Sequence, residues 1–314
     1  MDELKPAFIK IAKRIIASVL ILIAFIYITV FMILVPPSFN IRISDWSIIS
    51  TYPISSIIRD TNETLWTVFF DKEPIIYMAR PLAENLHRPF KNTISILVGG
   101  LLLSIVIGFI KGLIDSTKGE RTNNSLQVLA TVIPISFPDV LSVAVLQMFA
   151  VFLSRNGLKI VKVAGSGTIN HMILPIIALS LLPAFYIART LAVSIDNCYK
   201  QEYVKAALGK GCSKHRILWN HVLRNVTGIV FESLSNLTAL IICNLVLIEY
   251  LFAYPGLTTW IMRAHFQANM RGAENNYMVW IIVTIIIGFI YFGLDIIFNI
   301  MKMLTYKAVR EESA

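Results

Sequence analysis

Apolar residues in this chain gather into long runs, and the polar residues gather between them. Six runs reach the length of about 20 residues that a bilayer core requires. They are Ile11–Val35, Thr93–Ile114, Leu126–Leu153, Met172–Ile195, Ile229–Phe252 and Tyr277–Met303. The pattern predicts an all-α integral membrane protein with six transmembrane helices. The uncharged part of the first run, Ile15–Val35, follows Lys5, Lys10, Lys13 and Arg14. It is long enough to span and no small-x-small cleavage site follows it, so a retained first helix is expected. Between the first two runs, Pro36–Asn92 is too polar to cross. Asp45, Arg59, Asp60, Glu63, Asp71, Lys72 and Glu73 keep it wet, and Pro53, Pro74, Pro81 and Pro89 punctuate it. Short helices are expected there, one near Ile75–Leu86. The predicted organisation is an N-terminal helix with its polar segment (1–92), a five-helix core (93–305) with a polar loop at 196–228, and a tail (306–314).

Within the runs, glycine and proline stand out. Gly99, Gly100 and Gly108 in the second permit close helix packing in lipid. Pro134 and Pro138 lie four apart in the third, with Asp139 beside them, and predict a kinked helix at a cavity or a kink that serves packing alone. Pro175 and Pro183 repeat the theme in the fourth. Composition agrees: 56% of the 314 residues are hydrophobic and mean hydropathy is +0.69. The net charge of +9 comes from basic residues that flank spans and set orientation. No basic patch interleaved with aromatics points to nucleic acid. With the N-terminus inside, most Lys and Arg fall in inside segments, and both termini are cytoplasmic. Cys198, Cys212 and Cys243 are scattered and suggest neither a disulfide framework nor a metal site.

The most informative stretch is the polar island Gln201–Asn225. Tyr203, Ala206 and Ala207 fall at i, i+3 and i+4 on one helical face. Gly209 and Gly211 then favour a bend. Ser213 is placed to cap a second helix whose apolar stripe is Ile217, Leu218 and Val222. By itself such an island reads as an amphipathic helix on anionic lipid. Yet Lys205-Ala206-Ala207-x3-Gly211 resembles the Glu-Ala-Ala-x3-Gly loop of bacterial ABC-importer permeases. The basic residue in the Glu position, Glu202 three residues earlier, and His221-Val222-Leu223-Arg224-Asn225 are similar to the dipeptide/oligopeptide/nickel subgroup. So are His171-Met172-Ile173-Leu174-Pro175, Tyr186-Ile187-Ala188-Arg189 and Glu249 through Leu257. The subgroup's usual proline four residues after Asn225 is Ile229 here. The matching segments cover most of residues 80–300.

The resemblance implies a type I ABC-importer permease architecture with an extracytoplasmic segment after helix 1, in a bacterial cell membrane. It implies a second related permease, two ATPase subunits and an extracytoplasmic substrate-binding protein as partners. Glu202, Tyr203, Lys205, Ala206, Ala207 and Gly211 would then couple to the ATPase. ATP and Mg would sit on those partner chains, with no cofactor on this one. In agreement, the sequence holds no phosphate-binding Gly-x4-Gly-Lys-Ser/Thr loop and no catalytic or metal-binding motif. Acidic residues in or near spans are functional candidates. Asp139, Glu232 and Glu249 are the substrate-path candidates, although Glu249 beside the Pro255-Gly256 turn also suits a structural bond. Asp295 is expected to pair with Lys302 or to snorkel. His171 and His265 read as outer loop residues. Two other classes stay open: an ion-coupled secondary transporter working through Glu232, Glu249 or Asp295, and a non-transporting membrane scaffold.

Overall fold

The computed structural model describes residues 4–38, 40–44, 47–51, 54–71, 73–77, 80–119, 133–157, 161–262 and 274–311. In chain order the elements are α1 (Leu4–Ser38), β1 (Asn40–Ser44), β2 (Ser47–Thr51), α2 (Ile54–Phe70), β3 (Ile76–Tyr77), β4 (Arg80–Pro81) and α3 (Leu82–Gly119). There follow α4 (Asp139–Arg155), α5 (Ile173–Tyr199), α6 (Glu202–Gly209), α7 (Lys214–Ile217), α8 (Leu223–Leu251) and α9 (Glu274–Glu311). Among the described residues, five helical stretches are long and apolar enough to cross a membrane: Ile16–Val35, Leu82–Ser116, Ile169–Tyr199, Leu223–Leu251 and Tyr277–Thr305.

Two departures from the expected all-α pattern lie in the polar segment. β1 and β2 pair antiparallel, Ile41 opposite Ser50 and Ile43 opposite Ile48. Asn40-Ile41-Arg42-Ile43-Ser44 alternates polar and apolar at period two, a strand pattern. The helix expected near Ile75–Leu86 is instead the short β3–β4 pair followed by α3 from Leu82. Pro81 has no N–H to donate, and a chain leaving it enters a helix most readily at the next residue. The Leu82 N–H donates to the Ile75 carbonyl at 2.8 Å and closes the turn.

The third expected span also differs. Residues 126–132 lie outside the described residues. The rest is a short helical stretch at 133–136, a break at Phe137–Pro138, and then α4 of 17 residues. The Pro138 ring would meet the carbonyl of Pro134 four residues back, and Phe137 before a proline is driven out of the helical region. Two prolines at this spacing therefore break the helix rather than bend it.

The chain divides into two compact units. One comprises Met1–Phe90 and Gly256–Gly293, the other Lys91–Pro255 and Leu294–Ala314. In the first unit, Ile26 and Val30 of α1 pack on Ile281 and Ile285 of α9, with Leu65 and Val68 of α2 against the same cluster. Leu82, Leu86, Leu257, Val279 and Val283 form a second cluster.

The second unit is built on α5, which lies along α8 and receives α3 on another side. The α3 seam is made of glycines. A Cβ at Gly108 would stand 2.7 Å from the Ala184 carbonyl oxygen, and one at Gly112 would stand 2.9 Å from Leu191 Cβ. Backbone therefore meets backbone, which is how helices associate where lipid offers no hydrophobic drive.

This seam yields a prediction with a built-in contrast. Gly108→Val forces side chain into backbone and should destabilise the protein by about 1–3 kcal/mol or prevent folding. Gly209→Ala, where a Cβ meets nothing within 4 Å, should be neutral or stabilise by up to about 1 kcal/mol. Thermal unfolding in mild detergent, followed by size-exclusion fluorescence, measures both.

Candidate functional site

The polar island folds into a compact capped loop between two spans. Glu202–Gly209 forms α6, and the chain then reverses through Gly211 at φ +79°. That left-handed conformation suits glycine. The Lys210 N–H reaches the Ala206 carbonyl at 3.1 Å in a regular helical bond, and the reversal at Gly211 lets the Cys212 N–H reach the Ala207 carbonyl at 3.2 Å. The orphan carbonyls at the helix end are thereby satisfied. Ser213 Oγ accepts from the Arg216 N–H at 3.4 Å, so it caps the second helix as expected.

That second helix does not stop in the loop. α7 runs through a π turn at Leu218–Val222 directly into α8. With Ile229 in place of a proline, the i−4 hydrogen bonds continue and α8 stays unbroken to Leu251. The island is thus one short helix followed by the elongated root of a membrane span.

Two contacts fix α6 to the spans. Val204 is fully buried. The Tyr203 hydroxyl shares a hydrogen bond with Cys198 Sγ at 2.7 Å, at the end of α5, and accepts from Asn225 Nδ2 at 2.9 Å, at the start of α8. Partial burial, and then the Cys198 thiol, hold this phenol above its ordinary range. The phenol stays protonated at physiological pH.

The outward side of α6 carries the other expected residues. Glu202 and Lys205 pair at 3.0 Å and are both well exposed, a surface contact of small energetic worth. Ala206 is exposed and Ala207 partly so, which leaves a small, low surface beside that pair. The expected set thus separates into an outward group, Glu202, Lys205, Ala206 and Ala207, and Tyr203, which bonds inward. Sequence reasoning missed Tyr203's partners, Cys198 and Asn225. It also missed Trp219, which is half exposed with its ring 6.0 Å from that of His215. An aromatic residue off the Ile217–Leu218–Val222 stripe was the available signal.

The membrane carboxylates do not converge on one site. Glu232 on α8 pairs with Lys302 on α9 at 2.7 Å. The Asp295 carboxylate accepts from the Ser235 hydroxyl, and Asn299 Nδ2 donates to the Asp295 main-chain carbonyl at 2.8 Å. This corrects the expected Asp295–Lys302 pair. Seven residues along a helix is a rise of about 10 Å, so Lys302 reaches across to α8 instead. Glu249 is fully buried and accepts from Thr93 Oγ1 at 2.5 Å. One residue earlier on α3, Asn92 Nδ2 donates to the Pro255 carbonyl at 2.9 Å. Side chains on α3 thereby hold both the end of α8 and the turn after it.

Asp139 opens α4 and lines a cleft with Pro134, Ser142, Ala178 and Asn244. The cleft's volume is about 10 Å³, room for a single water. His171 Nδ1 shares a hydrogen bond with Thr168 Oγ1 at 2.9 Å within a local turn. His265 lies outside the described residues. Among the described residues, no group of three His, Cys, Asp or Glu side chains is placed to hold a metal ion.

Long apolar helices packed along a glycine seam, with a capped loop between two of them, make this a helical membrane protein. Residues 93–310 match the family described as binding-protein-dependent transport system inner membrane component, and the chain belongs to it. It is 26% identical over 258 residues to the putrescine export system permease protein SapB of Escherichia coli K12, covering 74% of this chain and 80% of that one. It is 27% identical over 215 residues to the dipeptide transport system permease protein DppB of Bacillus subtilis 168, covering 67% and 68%. Among solved structures, the inward-facing MetNI methionine ABC transporter shares the fold. The TM-score is 0.50 at 15% identity, and the match covers 73% of this chain and 99% of that one.

The Glu249–Thr93 bond leads to a test. Glu249→Ala should cost about 1–3 kcal/mol by removing the buried carboxylate that accepts from the Thr93 hydroxyl, and Thr93→Val should cost less. The double variant should lose less than the sum of the two. Thermal melts of the four proteins in detergent give the coupling directly.

Proposed function

We propose that this chain is one permease subunit of an ATP-driven importer for di- or oligopeptides, or for a related small solute such as a nickel chelate. It forms the translocation path with a second, related permease. Two separate ATPase subunits bind ATP and Mg, and an extracytoplasmic binding protein delivers the substrate. In this reading the chain crosses the membrane six times, with α4 and the residues before it as the third span. Both termini and the α6 loop face the cytoplasm, and the segment after helix 1 faces outward.

The observation that carries the proposal is the build of the α6 loop. Its inner side is anchored by Val204 and by the Tyr203 hydroxyl, whose partners belong to α5 and α8. Its outer side offers the small Ala206–Ala207 surface flanked by the Glu202–Lys205 pair. A partner that docks on the outer side and moves displaces the roots of two spans together. ATP binding to the partner then biases a two-state membrane element, and its energy reaches the substrate path through geometry alone. The names of the relatives, dipeptide transport for one and putrescine export for the other, support small amine-bearing substrates.

The chain purified in mild detergent should bring an ATPase with it. Ala207→Arg places a long charged side chain on the docking surface. Gly211→Pro demands φ near −65° where the chain holds +79°. Each should reduce co-purified ATPase about tenfold or more, equivalent to about 1.4 kcal/mol, while the spans remain folded by circular dichroism. Uptake of a labelled dipeptide into cells should fall in parallel. Unchanged ATPase recovery in both variants would defeat the coupling assignment.

A further inference from the structure

α2 has an exposed face that changes character along its axis. Arg59, Asn62 and Glu63 are exposed on the first turns, and Trp66, Phe69 and Phe70 follow on the same face one and two turns later. Trp66 and Phe70 are each 66% exposed and stack with ring centroids 4.7 Å apart. A solvated helix in an extramembrane segment has no physical reason to present three large aromatic residues to water.

The depth of these side chains is set by their neighbours. Leu65 and Val68 pack against Ile26 and Val30 of α1 and Ile281 and Ile285 of α9, with Ile33 and Leu34 of α1 at the same cluster. Those residues belong to stretches with the length and hydropathy to cross a membrane. The aromatic half of α2 is therefore held against the second half of the α1 span. Side chains at that height which do not face α1 or α9 face whatever surrounds the spans. Only 11% of the apolar window of the α1 span is buried, so most of that span faces the same surroundings.

We propose that α2 is a membrane-interface helix, with Trp66, Phe69 and Phe70 seated among the lipid headgroups and upper acyl chains. The proposal rests on the membrane-spanning reading of α1 and α9. Aromatic rings concentrate at this level because an apolar body and, for Trp, a polar N–H are both accommodated there. Asp71 and Glu73 follow the helix and are exposed, which limits the depth to the interface. Arg59 lies 3.7 Å from Asp60 and 3.8 Å from Glu63. The polar half thus carries no positive excess, and seating is driven by apolar area rather than by attraction to anionic lipid. The polar segment after helix 1 would be pinned to the membrane through this helix instead of standing free above it.

Brominated lipids test the seating. The whole complex, with the native chain or with Trp66→Phe, is placed in bilayers of zwitterionic lipid, and the difference in tryptophan emission isolates Trp66. Lipids brominated near the headgroup should quench most of that component, lipids brominated near the chain end should quench less, and aqueous iodide should quench little. Phe70→Trp in the Trp66→Phe background moves the reporter one turn and should behave alike. Quenching by iodide alone would make α2 a solvated helix, and quenching by neither agent would mean that protein covers it. Either result overturns the proposal. ATPase co-purification is a separate readout, so failure here leaves the coupling assignment standing.

Discussion

In hydrocarbon, a backbone amide or carbonyl without a partner finds no water to take its place. Most of this architecture follows from that constraint. The spans are long helices because helices alone satisfy their own backbone. Where a helix is interrupted, another group supplies the bond. Gln147 Nε2 donates to the Leu251 carbonyl at 2.9 Å, and Asn92 Nδ2 does the same for Pro255, at the end of α8 and the turn after it. The N–H of Gly165 reaches the Phe252 carbonyl at 3.2 Å. Once each helix closes its own backbone, what joins helices is close approach at glycine and a few buried polar pairs. Gly108 and Gly112 on α3 supply the first, and Glu249 with Thr93 supplies the second.

The same economy explains why the α6 loop is suited to carry motion. Eight helical residues have little stability alone. Here the C-terminal end is closed by the reversal at Gly211, and the first turn is held by Val204 and Tyr203. The single phenol bridges the last turn of α5 and the first turn of α8, so the short helix is bonded to both spans at once. The π turn at Leu218–Val222 widens α8 just before Asn225. Such turns occur often at functional positions because they loosen a helix locally without ending it.

Much of this was legible in the sequence because it is local. The bend at Gly211, the cap at Ser213 and the spans at Met172–Ile195 and Ile229–Phe252 each follow from a few neighbouring residues. Two kinds of feature escaped. One is the balance between weak local signals: Asn40–Ser44 has a strand period, but it lies in a proline-punctuated segment expected to hold short helices, and Pro134 with Pro138 read as a kink. The other is partnership across helices. Lys302 is near Asp295 in sequence and bonded to Glu232 in space. Tyr203 lies on the face expected to be free, yet its hydroxyl turns inward to Cys198 and Asn225. Pairings of that kind depend on how α8 is rotated against α5 and α9, and no period along one helix encodes that rotation.

The pairings also bear on how the protein is driven. A carrier powered by protons needs a carboxylate that gains and loses a proton as the path opens and closes. Glu232 is bonded to Lys302, Asp295 to Ser235 and Glu249 to Thr93, and each pair ties one helix to another. Each of these carboxylates is already engaged in a bond that holds two helices together, and Glu249 is buried as well. The cleft at Asp139 holds about one water, far below the few hundred Å³ of an ordinary ligand pocket. A path wide enough for a peptide must therefore open at a surface that this cleft does not supply. The proposed energy input at the α6 loop would act on the roots of α5 and α8 together, where Tyr203 is bonded to both.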